Sequence, residues 1–268
     1  MACGPSIANI TEEEWKFLED KNTISFSRFP YSSRKTKYYL SIERDYLDRE
    51  VLGYMAKLGY IDTTILLSIK DSLILARELG FKYIRKIVKK NFYFMPSRQP
   101  WFVDKPKPPH SFYTTRAKNF HQPLFRYRGQ LTAVINACII LGATEIRLCG
   151  VDMNNQINFY DTEYLDKWCK DKGTVERYRE YIKKILDENR KEIKGRFKEF
   201  DPNTMHSTNV EIKEEYKYGN RPMRGTIDLL EWMNDEMITE GMEGIYITNK
   251  DSKPYKINKL RYKGIMDE

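Results

Sequence analysis

The sequence is poor in the residues that build cross-linked or metal-stapled folds, with four cysteines and three histidines among 268 residues. The cysteines show no Cys-x-x-Cys spacing, and they do not combine with the histidines into a zinc pattern. A disulfide scaffold and a structural zinc site are therefore not expected. A reduced, cytoplasmic setting is the natural expectation for such a chain.

Long apolar runs and several familiar motifs are also missing. No window approaches the ~18 uninterrupted apolar residues of a membrane span, and the first six residues have neither the basic start nor the apolar core of a signal peptide. We therefore expect a cytoplasmic location. The chain has no Walker A loop, no GxGxxG, no GxSxG and no HExxH, which removes several large enzyme classes.

The composition is that of a globular protein with a basic balance. Hydrophobic residues make up 41% and charged residues 31%, and the net charge is +8. Such a charge attracts phosphates on a nucleotide, an anionic membrane surface or a nucleic acid, although a solvated basic surface explains it equally well. Because Lys and Arg are scattered among acids rather than gathered with stacking aromatics, no nucleic-acid partner is expected.

Short apolar runs alternate with helical periods along much of the chain, which predicts an α/β fold with a mostly parallel sheet covered by helices on both faces. A capping box at Thr11 predicts the first helix. The clearest unit is an apolar helix followed by a strand that we expect near the middle of the sheet. The predicted helices are 11–20, 47–58, 72–79, 131–141 and 226–239, and the predicted strands are 23–27, 38–42, 64–69, 145–152 and 244–249.

Composition also divides the chain. Residues 1–160 and 225–250 are predicted to form one nucleotide-binding domain, and residues 161–224, rich in charge and helical spacing, a helical lid that binds the acceptor. A basic tail, 251–268, is expected on the surface. The proline-rich stretch 96–123 is predicted to be mostly loop.

Candidate binding residues follow from the rule that ligands bind beyond the carboxyl ends of parallel strands. Gly4-Pro5-Ser6 precedes the first helix, where backbone N–H groups and a hydroxyl can hold a phosphate, or where it is an ordinary loop. Asp152 ends the strand after the apolar helix, and it is expected to bind a ribose, orient a substrate or cap the next turn. Gln130 opens the apolar helix, where an amide can hold an anion.

Proton transfer near neutral pH requires His110, His121 or His206. His206 lies in a polar loop after the predicted lid, a position suited to a general base and equally to a solvated loop histidine. Tyr160 follows Asp152 by eight residues. A phenol there can donate a hydrogen bond to a departing phosphate, although most tyrosines in such a chain are packing residues.

The order of these motifs resembles the bacterial sialyltransferases of glycosyltransferase family 42 and the wider group that includes pterin-diphosphokinase-like domains. The matching pieces are Cys3 to Ile7, the apolar helix running into Gly150-Val151-Asp152, Tyr160, His206-Ser207, and the helix at Leu229 leading to Asn249. The resemblance implies a Rossmann-like fold, a GT-A-like variant with a helical lid. It also implies transfer of a sialic acid or Kdo-like sugar from a CMP-sugar to a glycan hydroxyl, with inversion and without a metal.

The resemblance further implies roles for individual residues. His206 would be the base and Tyr160 would hydrogen-bond the leaving phosphate. The donor-binding residues would be Gly4, Pro5, Ser6, Ser27, Gln130, Gly150, Asp152 and Asn154. No cofactor is implied besides the CMP-sugar substrate. The acceptor would be a glycan or lipo-oligosaccharide, the basic tail would allow peripheral contact with the inner membrane, and the sequence leaves a homo-oligomer open.

Two other functions are compatible with the sequence. A pterin diphosphokinase would use ATP and magnesium and would need carboxylates near the strand ends, for which Asp152, Asp161, Glu43 and Asp45 are available. A non-catalytic nucleotide-binding or glycan-binding module would need only the pocket. CMP binding without metal favours the transferase, and ATP binding with magnesium favours the kinase.

Overall fold

The structure is a computed structural model that describes part of the chain. The described residues are 1–41, 51–52, 54–55, 62–68, 92–95, 116–122, 124, 130–153, 216–218, 221–223 and 225–268, together with the single helical positions 173, 176 and 180. Within these residues the fold mixes helices with mostly parallel strands, as expected for an α/β protein.

The strands are β1 (Ile24–Phe26), β2 (Tyr38–Ser41), β3 (Thr64–Ser68), β4 (Phe92–Met95), β5 (Glu145–Leu148), β6 (Tyr216–Tyr218), β7 (Arg221–Met223), β8 (Gly244–Ile247) and β9 (Arg261–Tyr262). The α-helices are α1 (Glu12–Glu19), α2 (Leu131–Ile140), α3 (Thr226–Thr239) and α4 (Lys253–Lys256). Two 3₁₀ helices, η1 (Pro5–Asn9) and η2 (Phe29–Ser32), flank β1 along the chain.

Two parallel sheets carry the fold. One has the order β1-β2-β3-β4 and the other the order β5-β8-β9. The first sheet is buried on both faces, because alternate side chains enter different apolar clusters: Leu40 and Leu66 pack with Ala133 of α2, whereas Tyr39 and Ile65 belong to the opposite cluster. This is the burial expected of a parallel sheet with helical connections.

The first four residues link the two sheets. The amino group of Met1 donates a hydrogen bond to the carbonyl oxygen of Ile24 in β1 (2.8 Å), and the N–H of Ala2 donates to the carbonyl oxygen of Cys149 just after β5 (2.9 Å). The amino-terminal segment therefore runs between β1 and β5. The strand at 145 was predicted near the middle of the sheet. In the structure this strand, β5, lies at the edge of the sheet β5-β8-β9, and the amino-terminal segment bonds along its outer side.

The capping box at Thr11 is confirmed. The hydroxyl of Thr11 accepts from the N–H of Glu14 (3.2 Å), and the Glu14 carboxylate accepts from the N–H of Thr11 (2.8 Å). The apolar helix is confirmed as α2, but it is not buried throughout. Its residues 131–137 are buried, whereas Leu141 at its end is 41% exposed.

The predicted surface tail differs from the structure. Residues 251–268 contain α4 and β9, and β9 extends the second sheet by pairing with β8. Leu260 and Ile265 are buried in the core, and the Arg147 guanidinium donates to the carbonyl oxygens of Gly264 (2.7 Å) and Ile265 (2.8 Å). The segment is part of the fold because apolar side chains between its lysines, Leu260 and Ile265, pack into the core.

A charged cluster holds the same segment. Glu145 contacts Arg147 (Nε–Oε1, 2.5 Å) and Lys263 (Nζ–Oε2, 2.6 Å). Burial alone would raise the pKa of Glu145, but the hydrogen bonds from Lys263 and Arg147 lower it to about 2. The carboxylate is therefore kept charged as an anchor between β5 and the strand-forming tail.

The predicted lid, 161–224, is described only in part. Its end forms an antiparallel pair, β6 with β7, within the segment that was predicted to be a helical lid. Positions 173, 176 and 180 are helical and exposed, and the rest of this segment lies outside the described residues. Among the residues with described placement, no helix is both long enough and apolar enough to cross a membrane.

Candidate functional site

The candidate site lies where the amino-terminal turn, the end of β5 and the turn after β8 meet. All three follow parallel chain segments at their carboxyl ends, which is the edge where open α/β sheets bind ligands. Gly4 to Ser6, Gly150 to Asp152 and Asn249 to Lys253 form its three parts. We call this arrangement the Asp152 corner.

Asp152 joins the three parts. Its side chain is buried at 4% exposure. Carboxylate Oδ2 accepts from the N–H of Ser6 (2.9 Å) and Oδ1 accepts from the side-chain amide of Asn249 (2.7 Å). Its main-chain oxygen accepts from the N–H of Lys253 (2.8 Å). Each carboxylate oxygen therefore has one donor among the described residues and can accept a second hydrogen bond.

Gly4 and Gly150 allow the backbones to approach closely. The N–H of Gly4 donates to the carbonyl oxygen of Gly150 (2.8 Å). A Cβ at Gly4 would lie 2.5 Å from that same oxygen and nearer still to Oδ2 of Asp152. Gly150 has φ +71°, and a Cβ there would lie 2.5 Å from Cγ1 of Ile7. Both positions therefore require glycine.

The expected phosphate-binding N–H groups of Gly4-Pro5-Ser6 are already used. Gly4 donates to Gly150, Pro5 has no N–H, and Ser6 donates to Asp152. The next N–H, of Ile7, donates to the carbonyl oxygen of Gly4 (3.2 Å). The tripeptide therefore offers a ligand the hydroxyl of Ser6 rather than backbone donors. The carboxylate of Asp152 occupies the place that we had expected an anion to take.

The buried polar side-chain atoms without a hydrogen-bond partner in the described part of the chain include Ser6 Oγ, Gln130 Oε1 and Nε2, and Ser252 Oγ. A buried polar group without a partner costs about 1–3 kcal/mol, so such groups require an explanation. Gln130 is 3% exposed and Ser252 is fully buried.

Two of these side chains, Ser6 and Ser252, lie in segments that bond to Asp152, and Gln130 lies at the start of α2. Ser6 is bonded to Asp152 through its N–H, and Ser252 immediately precedes Lys253, whose N–H also bonds Asp152. Gln130 precedes Leu131, the first residue of α2, which shares an apolar cluster with Ala2 and Val151. Buried polar groups without a protein partner are satisfied by ordered water or by a polar ligand.

Two residues near this edge have left-handed backbone conformations that are unusual for non-glycine residues. Ser27, after β1, has φ +55°, and Met153, next to Asp152, also has φ +55°. The Ser27 hydroxyl accepts from Arg28 Nη1 (3.0 Å), and its carbonyl oxygen accepts from the Tyr39 hydroxyl (2.7 Å). Ser27 is thus engaged within the protein, and the strained positions mark the ends of two strands.

Two of the cysteines near the site are buried, and burial disfavours their thiolate forms. Burial raises the pKa of Cys149, which immediately precedes Gly150, and raises the pKa of Cys138 in α2 to about 11. Over the described ranges, no group of three or more His, Cys, Asp or Glu side chains is placed to hold a metal ion. The groups that the site offers are one carboxylate, hydroxyls and amides.

The structure therefore brings together five of the donor-binding residues that the sequence predicted: Gly4, Pro5, Ser6, Gly150 and Asp152. Gln130 belongs to the adjacent end of α2. Tyr160, Asn154 and His206 lie outside the described residues, as do Asp161, Glu43 and Asp45, so their predicted roles stay predictions.

Sequence reasoning missed Asn249 and Ser252. Asn249 had been assigned only as the end of a strand. The available signal was its position, since a polar residue ending a parallel strand occupies the same edge as Asp152.

Comparisons with protein-family models, with curated proteins and with solved structures found no match to this chain. The site must therefore be interpreted from its own chemistry and from the sequence resemblance.

Proposed function

We propose that this chain is a glycosyltransferase that moves a sialic acid or Kdo-like sugar from a CMP-sugar to a hydroxyl of a glycan or lipo-oligosaccharide, with inversion and without a metal. The observation that carries the proposal is the Asp152 corner, where Ser6 and Ser252 have buried hydroxyls without a partner among the described residues, together with the unpartnered amide of Gln130 at the start of α2. Hydroxyls, an amide and one carboxylate suit the ribose and base of a nucleotide.

The order of chain segments supports a Rossmann-like nucleotide-binding half, of the GT-A-like variant, as part of the same proposal. The amino-terminal segment lies between two strands. It bonds to β1, the next strand along the chain, on one side and to the end of β5, a much later strand, on the other side. The crevice where strand order reverses is the usual nucleotide site in open α/β sheets. Gly4 and Asp152 lie at this reversal.

The proposed reaction is a single displacement. The acceptor hydroxyl attacks the anomeric carbon of the sugar as the bond from that carbon to the CMP phosphate oxygen breaks, and the electron pair leaves with CMP. His206 takes the proton of the acceptor hydroxyl. Tyr160 donates a hydrogen bond to the departing phosphate, which stabilises the charge that develops there.

Other parts of the chain have supporting roles in this proposal. The segment 161–224 would close over the donor and exclude water, which otherwise hydrolyses it. Lysines of the carboxyl-terminal segment, such as the exposed Lys250 and Lys256, would contact an anionic membrane from the cytoplasmic side.

The test is a transfer assay on the wild type and on His206→Ala. CMP release is measured from CMP-sialic acid and from CMP-Kdo, with lactosides and lipo-oligosaccharide as acceptors. Because loss of a general base typically costs 10²–10⁴ in rate, we expect His206→Ala to lower transfer by about 100-fold or more. We expect its affinity for CMP to change by less than about twofold, since the base faces the acceptor.

The matched control is His121→Ala. His121 is exposed in a described loop far along the chain from the corner, so its replacement should leave transfer unchanged. Normal turnover by His206→Ala would remove His206 from the mechanism. If the wild type forms AMP from ATP and magnesium with a pterin and releases no CMP, the chain is a diphosphokinase. CMP binding without turnover of any donor would indicate a non-catalytic module.

A further inference from the structure

Three lysines of the carboxyl-terminal segment are half-buried, and they differ in the partners of their ammonium groups. Lys259 contacts the carboxylate of Glu231 (2.7 Å), and Lys263 contacts that of Glu145 (2.6 Å). The third, Lys253, makes neither an ion pair nor a side-chain hydrogen bond with the described residues. Because moving a cation out of water is costly unless an anion compensates it, Lys253 lacks the compensation that the other two lysines have.

Besides its carboxylate, hydroxyls and amides, the Asp152 corner therefore contains a cation. The N–H of Lys253 donates to the main-chain oxygen of Asp152 (2.8 Å), and Asn249 in the same turn donates to the Asp152 carboxylate (2.7 Å). The other lysine of this turn, Lys250, is exposed, and its ammonium lies 4.5 Å from the centre of the Tyr262 ring. Lys253 is thus the half-buried cation of the turn after β8.

A nucleotide phosphate at this corner needs a positive charge. The N–H groups of Gly4, Ser6 and Ile7 donate within the protein, so they do not serve a phosphate. The buried carboxylate of Asp152 repels an anion, and the repulsion is stronger at low effective dielectric than in water. A lysine ammonium has three donors and a full positive charge, which offset both effects.

We propose that the Lys253 ammonium binds the phosphate of the nucleotide, so that the turn 249–253 takes part in donor binding. The assignment rests on the proposed function. It gives the carboxyl-terminal segment a role in nucleotide recognition, and it moves the phosphate from Gly4-Pro5-Ser6, where the sequence predicted it, to the turn after β8.

The experiment is a calorimetric titration of the wild type and of Lys253→Met with CMP and with cytidine, which lacks the phosphate. Methionine keeps an unbranched apolar stem and removes the charge. We expect Lys253→Met to bind CMP about 10- to 100-fold more weakly than the wild type, the effect of losing a hydrogen bond between charged groups, and to bind cytidine equally well. Lys253→Arg keeps the charge and should bind CMP within about threefold of the wild type.

Thermal unfolding without nucleotide separates this role from a structural one. Because the Lys253 ammonium has no ion pair to lose among the residues with described placement, Lys253→Met should keep or raise the wild-type Tm. The matched control is Lys259→Met. It removes the ion pair between Lys259 and Glu231 of α3, so it should lower the Tm and leave the affinities for CMP and cytidine unchanged.

A lipid headgroup offers the same phosphate chemistry, and vesicles distinguish it from a nucleotide. Binding of the wild type and of Lys253→Met is compared on vesicles of phosphatidylglycerol and of phosphatidylcholine. We expect both proteins to bind phosphatidylglycerol equally, since the exposed Lys250 and Lys256 are still present in the variant. A variant that loses this binding but keeps its CMP affinity would overturn the assignment in favour of a lipid phosphate.

The titrations also separate the assignment from the proposed function. If the wild type binds CMP and Lys253→Met shows the same preference for CMP over cytidine, only the Lys253 assignment fails. Equal losses of CMP and cytidine affinity in the variant would overturn it too, because they indicate a structural role. If the wild type binds neither CMP nor cytidine, the proposed function fails and the assignment fails with it.

Discussion

Gly4→Ala is expected to destabilise the protein by about 3 kcal/mol, near the upper end of the range for overpacked sites. The backbone of Gly4 (φ −65°, ψ 156°) is one that alanine adopts freely, so the cost is steric. The added Cβ would lie 2.5 Å from the Gly150 carbonyl oxygen and closer to the Asp152 carboxylate, and neither belongs to a flexible side-chain end that can move away cheaply. Thermal unfolding measures the loss, expected at roughly 6–12 °C.

The same substitution should weaken CMP binding, because moving Asp152 also moves its contacts to Ser6 and Asn249. Gly241→Ala is the control. Gly241 has φ +81° and nothing within 4 Å of an added Cβ, so it carries only the left-handed backbone cost of about 1–2 kcal/mol. A Gly4→Ala variant as stable as the wild type would show that the corner is not packed as described.

Asn249→Asp is expected to cost up to about 3 kcal/mol at pH 7, because it places a second charge at a half-buried position beside the buried carboxylate of Asp152. The Asn249 amide donates to the Asp152 carboxylate at 2.7 Å, and the substitution replaces that donor with a second carboxylate at the same distance. Two carboxylates so close must share a proton, so the introduced carboxyl has a raised pKa in the folded state.

The raised pKa of the introduced carboxyl means that the folded variant binds a proton more tightly than the unfolded variant does. The destabilisation of Asn249→Asp relative to the wild type is therefore smallest below the unfolded pKa of about 3.9, and it grows as pH rises through the folded pKa. The Tm difference between Asn249→Asp and the wild type should therefore narrow between pH 7 and pH 5. Asn249→Ala, which loses the hydrogen bond without adding charge, should show a smaller difference that does not vary with pH. A constant deficit in Asn249→Asp would contradict the contact.

The elements with strong local signals could be predicted from the sequence. The capping box of Thr11, the apolar period of α2 and the helix at 226–239 are each specified by residues within a few positions of one another. The tail was mispredicted for the converse reason. Its frequent lysines indicate a surface, whereas Leu260 and Ile265 are buried only because β9 finds a partner strand, β8, earlier in the chain.

The candidate site was likewise predictable only in part. The rule that ligands lie at the carboxyl ends of parallel strands selected Gly4, Ser6 and Asp152 correctly as neighbours. It could not show that Asp152 would bond the N–H of Ser6, 146 residues away, or the amide of Asn249, 97 residues away. These contacts depend on how the segments are placed in three dimensions, and they reverse the expected role of the Gly-Pro-Ser turn. The N–H groups that were expected to bind a phosphate instead donate hydrogen bonds within the protein, and the Ser6 hydroxyl has no partner among the described residues.

The central claim is that the Asp152 corner binds a cytidine monophosphate group. Its most direct test is a calorimetric titration of the wild-type chain with CMP, CDP, GDP, UDP and ATP, first without metal and then with magnesium. The account predicts that CMP binds without metal at least about 10-fold more tightly than GDP, UDP or ATP, a difference of about 1.4 kcal/mol. Equal binding of all five nucleotides, or tighter binding of ATP with magnesium, would contradict it.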